Sequence, residues 1–318
     1  MPMSLSLKPW ALPACLAFVL AAPALGAASE YSGIVVFGTS LSDPGNDFVL
    51  RGGINHPPEY LLDALLVPGA PYARGGHHLS NGAPWIVQLA RPLGLAGSVQ
   101  AAYRGSSAEA TNYAVDRARA RNDGVNVNLN DQVIRFLQDV AGVAPPDRLY
   151  VLEIGSNDVF DAIRAGGDVS ILQEALTSVS ARLQELYAAG ARRFLIADVP
   201  DVALTPAIRR AAQAQPEVSI LASFLVQSFN TNLDAVVQQL RLLQGTEVAR
   251  LGIYEKLYEI VADPEQFGLT NVTEACVMPD IPPYACRNPD EYLFWDGAHP
   301  TKAGHALFAQ AALSALLQ

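Results

Sequence analysis

Ile34-Val35-Val36-Phe37-Gly38-Thr39-Ser40-Leu41-Ser42-Asp43-Pro44-Gly45-Asn46 is the stretch whose reading decides the fold. Its first four residues are apolar and mostly β-branched, and glycine follows at once, so the run reads as a buried strand. A serine at the exit of such a strand sits on a tight strand-to-loop turn. There its hydroxyl faces the crevice at the carboxyl edge of a parallel sheet, where open α/β folds bind ligands. Serine and glycine are also ordinary loop residues, so the segment needs support from elsewhere in the chain.

Outward from this strand the pattern becomes regular. Strands are predicted at 149–154, 194–197 and 248–253. Helices are predicted at 85–93 behind Pro84, at 131–140, at 171–189, at 219–243 and at 301–317, with a short one near 59–65. In the 171–189 helix Leu172, Leu176, Val179, Leu183 and Leu186 share one face, and Ser170 with Gln173 reads as a capping box. Residues 96–130 are polar and read as irregular, including Thr111-Asn112-Tyr113-Ala114-Val115. Strands alternating with long helices argue for a parallel sheet covered on both faces.

Composition sets the class. The 318 residues are 50% hydrophobic and only 16% charged, enough for a large core and against disorder. The net charge is −10 with no basic run, which excludes nucleic acid as an expected partner. Residues 1–28 read as a signal peptide: Lys8 supplies the positive start, 11–22 are apolar apart from Pro13, and Ala24-Leu25-Gly26 or Gly26-Ala27-Ala28 suits a signal peptidase. The mature chain, 29–318, shows no internal linker or repeat and is expected to be one exported domain, secreted or periplasmic. Of three cysteines, Cys15 leaves with the leader. Cys276 and Cys286 lie close together in a Pro-rich loop, and in an exported protein they most simply form one disulfide.

Near the C-terminus stands Trp295-Asp296-Gly297-Ala298-His299-Pro300. An aspartate three residues before a histidine reaches the imidazole within one loop, holds its Nδ1–H and leaves Nε2 to take a serine proton. Ser40, His299 and Asp296 are therefore the candidate catalytic set. No Gly-x-Ser-x-Gly occurs, so the nucleophile elbow of the α/β-hydrolases is absent. Gly155-Ser156-Asn157-Asp158 follows the strand at 149–154, which brings Asn157 to the same sheet edge as Ser40. Its amide suits an oxyanion donor, although asparagine there equally suits a helix cap.

With these residues in place the chain resembles the GDSL, or SGNH, family of serine esterases and lipases, over nearly all of the mature sequence. Ser40 falls at the block I serine, Asn157 in the Gly-x-Asn-Asp block, Asp296 and His299 in Asp-x-x-His-Pro, and Leu79-Ser80-Asn81-Gly82 resembles the family's Ser-Asn-Gly segment. The resemblance implies a three-layer α/β/α flavodoxin-like fold with a central parallel sheet. It also implies an acyl-enzyme mechanism without metal or cofactor, with Asn157 and the Ser40 N–H binding the oxyanion. The expected substrates are lipid, phospholipid or short-chain acyl esters, with transient contact at a membrane surface. An acyltransferase, a carbohydrate O-acetyl esterase or a non-catalytic binding protein on the same fold are the alternatives.

The sequence departs from the family pattern twice. Thr39 stands where the family usually has aspartate. Asp116-Arg117 stands where it often has a glycine pair, one of which is thought to give a backbone N–H to the oxyanion. Asp116 and Arg117 are accordingly the candidates for the second donor, and the Asp116 carboxylate is expected near the point where negative charge develops.

Overall fold

Strand β1 (Ile34–Gly38) is buried at every residue, as an apolar run covered on both faces must be. A computed structural model describes residues 30–53, 72–73, 77–105, 107–277 and 285–318. The leader expected at 1–28 and the short helix expected near 59–65 lie outside the described residues. After β1 come α1 (Asn46–Leu50), α2 (Trp85–Ala90), α3 (Leu129–Asp139), β2 (Leu149–Glu153), α4 (Ser156–Arg164) and α5 (Ser170–Ala189). Then follow β3 (Arg193–Ala197), α6 (Pro206–Ala214), α7 (Glu217–Arg241), β4 (Glu247–Leu251), α8 (Ile253–Ala262), β5 (Asn271–Ala275), β6 (Tyr292–Phe294) and α9 (Lys302–Leu316).

The main sheet has the order β1-β2-β3-β4, all parallel. Its β1 edge is not bare. Residues 111–115, read from sequence as irregular, run parallel beside it: Val36 N–H donates to the Thr111 carbonyl, Tyr113 N–H to Val36, and Val115 N–H to Gly38. Counting this ribbon, the spatial order is 2-1-3-4-5, the flavodoxin-like arrangement, with its switch point between β1 and β2. Both strands end there, and both deliver a candidate segment.

Side-chain alternation along the strands separates two cores. Val35, Phe37, Tyr150, Leu152, Phe194 and Ile196 pack against the layer of α3, α4, α5 and α7. Ile34, Val36, Leu149, Val151, Leu195 and Leu251 pack against α2, α8 and α9. The three layers are thus a direct consequence of strands that are apolar on both faces.

Local details differ from expectation where long-range partners take over. Helix α5 starts as foreseen, but the expected Ser170/Gln173 capping box is not formed. Asp168 Oδ1 accepts both the Ser170 N–H and its hydroxyl instead. The reciprocal contact occurs on α3, where Asp131 turns back to accept the Asn128 N–H at 3.0 Å. Helices α1, α4, α6 and α8 and strands β5 and β6 have no counterpart in the sequence reading. The strand expected at 248–253 stops at Leu251, because Asp198 at the end of β3 accepts the Tyr254 N–H and starts α8. Among the described residues no helix is long and apolar enough to cross a membrane.

Candidate active site

The turn after β1 is held from three sides. Gln132 on α3 clamps Gly38, accepting its N–H and donating to its carbonyl, both at 2.9 Å. Glu153, the last residue of β2, accepts from the Thr39 N–H, the Thr39 hydroxyl and the Ser42 hydroxyl, the last at 2.9 Å. The approach needs Gly38, since a Cβ there would stand 2.8 Å from the Glu153 carbonyl oxygen. Burial pushes the Glu153 carboxyl up to about 7, against the pull of these donors. Trp85 Nε1 closes the set on the Ser42 hydroxyl at 3.0 Å.

On this turn Ser40 is half-buried, and its Oγ lies 2.9 Å from His299 Nε2. His299 Nδ1 lies 2.8 Å from Asp296 Oδ2 and 2.9 Å from Oδ1. Because the carboxylate only accepts, Nδ1 carries the proton and Nε2 is left to accept from serine. Asp296 Oδ1 also accepts the backbone N–H of Ala298 and of His299, which shapes the four-residue loop. Burial opposes a charged imidazole, but Asp296 in contact, with Asp116 and Glu153 further off, outweighs it and raises the His299 pKa above its usual value.

The histidine loop is anchored to the start of α9 by the Ser-Asn-Gly segment. Ser80 donates its hydroxyl to the Pro300 carbonyl, and Asn81 Oδ1 accepts the Lys302 N–H. Thr301 caps α9, its Oγ1 accepting from the Gly304 N–H. Cys276 and Cys286 form a disulfide close to this loop. The Cys276 N–H donates to the Phe294 carbonyl, and the Val277 N–H to that of Trp295.

The segment that carries Asp116 and Arg117 meets the Ser40 turn through Asp43, whose Oδ2 accepts the Asp116 N–H at 3.0 Å. Asp116 therefore has no backbone N–H left for an oxyanion, which corrects its candidacy. Arg117 takes a left-handed φ of 60°, and among the described residues neither its N–H nor that of Ser40 has an acceptor. The Asp116 side chain is buried, and burial raises its pKa. Asp47 adds to that rise, while His299, Arg117 and Arg51 oppose it. Arg117 Nε is 3.8 Å from its carboxylate.

Asn157 stands in the first turn of α4. Gly155 precedes that helix at φ 119°, a conformation L side chains rarely adopt. Asn157 Nδ2 donates one of its two N–H groups to the Ala118 carbonyl at 2.9 Å. Asp158 beside it accepts the Ala120 N–H at 2.8 Å. The Gly-x-Asn-Asp block thus grips the loop that carries Arg117. Among the described residues no group of three or more His, Cys, Asp or Glu side chains is placed to hold a metal ion.

Sequence reading missed Glu153, Asp43, Gln132 and Tyr72, whose hydroxyl donates to Asp296 Oδ2 at 2.9 Å. The partners of Glu153 and Tyr72 at the site, and those of Gln132 at Gly38 and of Asp43 at Asp116, lie tens to hundreds of residues away, so no local spacing announces these contacts.

A flavodoxin-like sheet with Ser, His and Asp in contact at its carboxyl edge is the arrangement of the SGNH class of hydrolases. The GDSL-like lipase/acylhydrolase family model matches residues 34–312. The chain belongs to that family and is a carboxylic ester hydrolase. A GDSL esterase/lipase of Arabidopsis thaliana is 28% identical over 88% of this chain and 85% of its own length. A second from the same plant is 26% identical over 88% of this chain and 86% of its own. Among solved structures, a putative GDSL-like lipase from Parabacteroides merdae is 12% identical, with a TM-score of 0.47 over 90% of this chain and 96% of that one.

Proposed function

We propose that the protein is an exported hydrolase that cleaves lipid, phospholipid or short-chain acyl esters through an acyl-enzyme on Ser40. The observation that carries this reading is the unbroken contact from Ser40 Oγ through His299 to Asp296. His299 Nε2 takes the serine proton as Oγ attacks the ester carbonyl, and the carbonyl π electrons move onto its oxygen. His299 then returns the proton to the leaving alcohol as the C–O bond breaks. Water attacks the acyl-enzyme by the same route. Asp296 holds the imidazole and offsets its charge. The developing oxyanion is met by the N–H groups of Ser40 and Arg117 and by the second N–H of Asn157. Residues 29–318 act as one domain, and the disulfide is in keeping with export behind a leader at 1–28. A lipid substrate would be met at a membrane surface.

The test is Ser40→Ala in purified protein, assayed on nitrophenyl esters from acetate to palmitate and on a phospholipid. Loss of turnover by a factor of about 10⁶ is expected. Activity within tenfold of wild type would remove Ser40 from the nucleophile role. Partition of the acyl group between water and an added alcohol separates hydrolase from acyltransferase.

A further inference from the structure

We propose that Tyr72 is a positioning residue for Asp296. Its phenol O–H fixes the carboxylate that orients His299, and this rests on the assignment of Ser40, His299 and Asp296 as the reacting set. Asp296 is fully buried and Tyr72 is 6% exposed. The two are 224 residues apart in sequence and meet at 2.9 Å, phenol O–H to Oδ2. Oδ1 is held by the backbone of its own loop, through the Ala298 and His299 N–H groups. Oδ2 has no such backbone support. Among the described residues its donors are His299 Nδ1 and the Tyr72 hydroxyl. Without the phenol, Oδ2 keeps only the His299 Nδ1 contact, and the carboxylate plane that sets the imidazole is held through Oδ1 alone.

The tyrosine ring is itself held. It packs in a small apolar cluster with Cys276, Val277, Cys286 and Trp295. The disulfide therefore stands behind the residue that stands behind the acid. A hydroxyl buried in such a cluster costs free energy unless it is hydrogen-bonded, so the cluster would favour phenylalanine if packing were its only task.

The phenol also sets the charge on the carboxylate. A donor to Oδ2 disperses the negative charge and makes Asp296 a weaker partner for an imidazolium. The groups that face His299 are Asp296 on its own loop, Asp116 from the 112–117 segment and Glu153 from the end of β2. His305 on α9 also interacts with it. Removing the phenol changes only the first of these. The His299 pKa must then rise, and the acid limb of kcat/KM must move to higher pH.

The experiment is Tyr72→Phe in the full chain with its disulfide intact. The His299 ring is titrated by nitrogen-15 NMR, and kcat/KM for a nitrophenyl acetate is followed against pH. Both midpoints should move up by about half a pH unit, kcat should fall about tenfold, and the melting temperature should stay near that of wild type. A 3-fluorotyrosine placed at position 72, a stronger donor of the same shape, should move the His299 midpoint the opposite way. An unmoved His299 midpoint in both folded variants overturns the proposal, even if turnover falls, because a packing role alone lowers the plateau and leaves the titration in place. If wild type hydrolyses no ester at all, the nucleophile assignment fails, and the NMR arm still decides the Tyr72 bond.

Discussion

Asp43 Oδ2 accepts the backbone N–H of Asp116 at 3.0 Å, joining the serine turn to the loop that carries Arg117. The same carboxylate accepts the N–H groups of Gly45, Asn46 and Asp47. Asn46 and Asn112 add further bonds, Asn46 Nδ2 to the Ala114 carbonyl and Asn112 Nδ2 to that of Ser42. The turn that carries Ser40 and the loop that carries Arg117 are therefore one hydrogen-bonded unit. Asp43→Ala should cost about 2–4 kcal/mol, as several buried N–H groups lose their acceptor, and should lower kcat more than it raises KM. Urea unfolding with steady-state kinetics is the check. A stable variant with unchanged kcat would show that the two loops keep their relation without the carboxylate.

Asp116 lies near enough to His299 to raise its pKa. With His299 as the proposed base, active when neutral, activity falls as pH drops through that pKa, and a raised pKa sets the acid limb above about 6.5. Asp116→Asn removes one of the carboxylates that raise it. The acid limb should move to lower pH, and plateau kcat should rise about threefold, since a buried negative charge opposes the oxyanion. Arg117→Gly, which keeps the N–H and suits a φ of 60°, should leave kcat within about threefold of wild type. The pH profiles of both variants on one nitrophenyl ester decide these points. A limb that stays put in Asp116→Asn means the two groups are not electrostatically coupled.

His305 on α9 is buried, and among the described residues its Nδ1 has no hydrogen-bond partner. Burial, with the neighbouring His299 and His78, pushes its pKa down to about 3. The unfolded chain protonates this residue below about pH 6.5 and the folded chain does not, so its contribution to stability is lost as pH falls from 6.5 toward 3. His305→Leu should match or exceed wild type at pH 7.5. At pH 5 it should gain about 2 kcal/mol relative to that difference. Denaturant titrations at the two pH values measure it, and an equal difference at both would place the proton uptake elsewhere.

The disulfide joins Cys276 to Cys286, ten residues on. Closing a loop of this length restricts the unfolded chain by about 2–3 kcal/mol. Cys276→Ser/Cys286→Ser should lose that much stability in urea. Because the Phe294 and Trp295 carbonyls are held from this segment, kcat should fall as well. Wild type under reductant should approach the variant on both counts. A variant as stable as oxidised wild type would show that the cross-link is dispensable.

The sequence by itself determined three strands, read at 34–37, 149–154 and 194–197, because mostly apolar runs closed by glycine or aspartate suit a parallel sheet covered on both faces. It also determined the Asp296–His299 pairing, since three residues of loop bring those side chains together, and it placed Ser40 and Asn157 at one sheet edge. Tertiary structure alone decided the rest. Residues 111–115 lie along β1 because it offered its free edge, not because their own pattern alternates. Helix α8 began where it did because Asp198, 56 residues before Tyr254 in the chain, supplied the first acceptor. The Asp116 N–H is taken by Asp43, 73 residues earlier in the chain. Glu153 beneath the nucleophile turn and Tyr72 behind the acid have partners 111 and 224 residues away. Such contacts are made by folding, and local periodicity, which records only a residue's near neighbours, holds no trace of them.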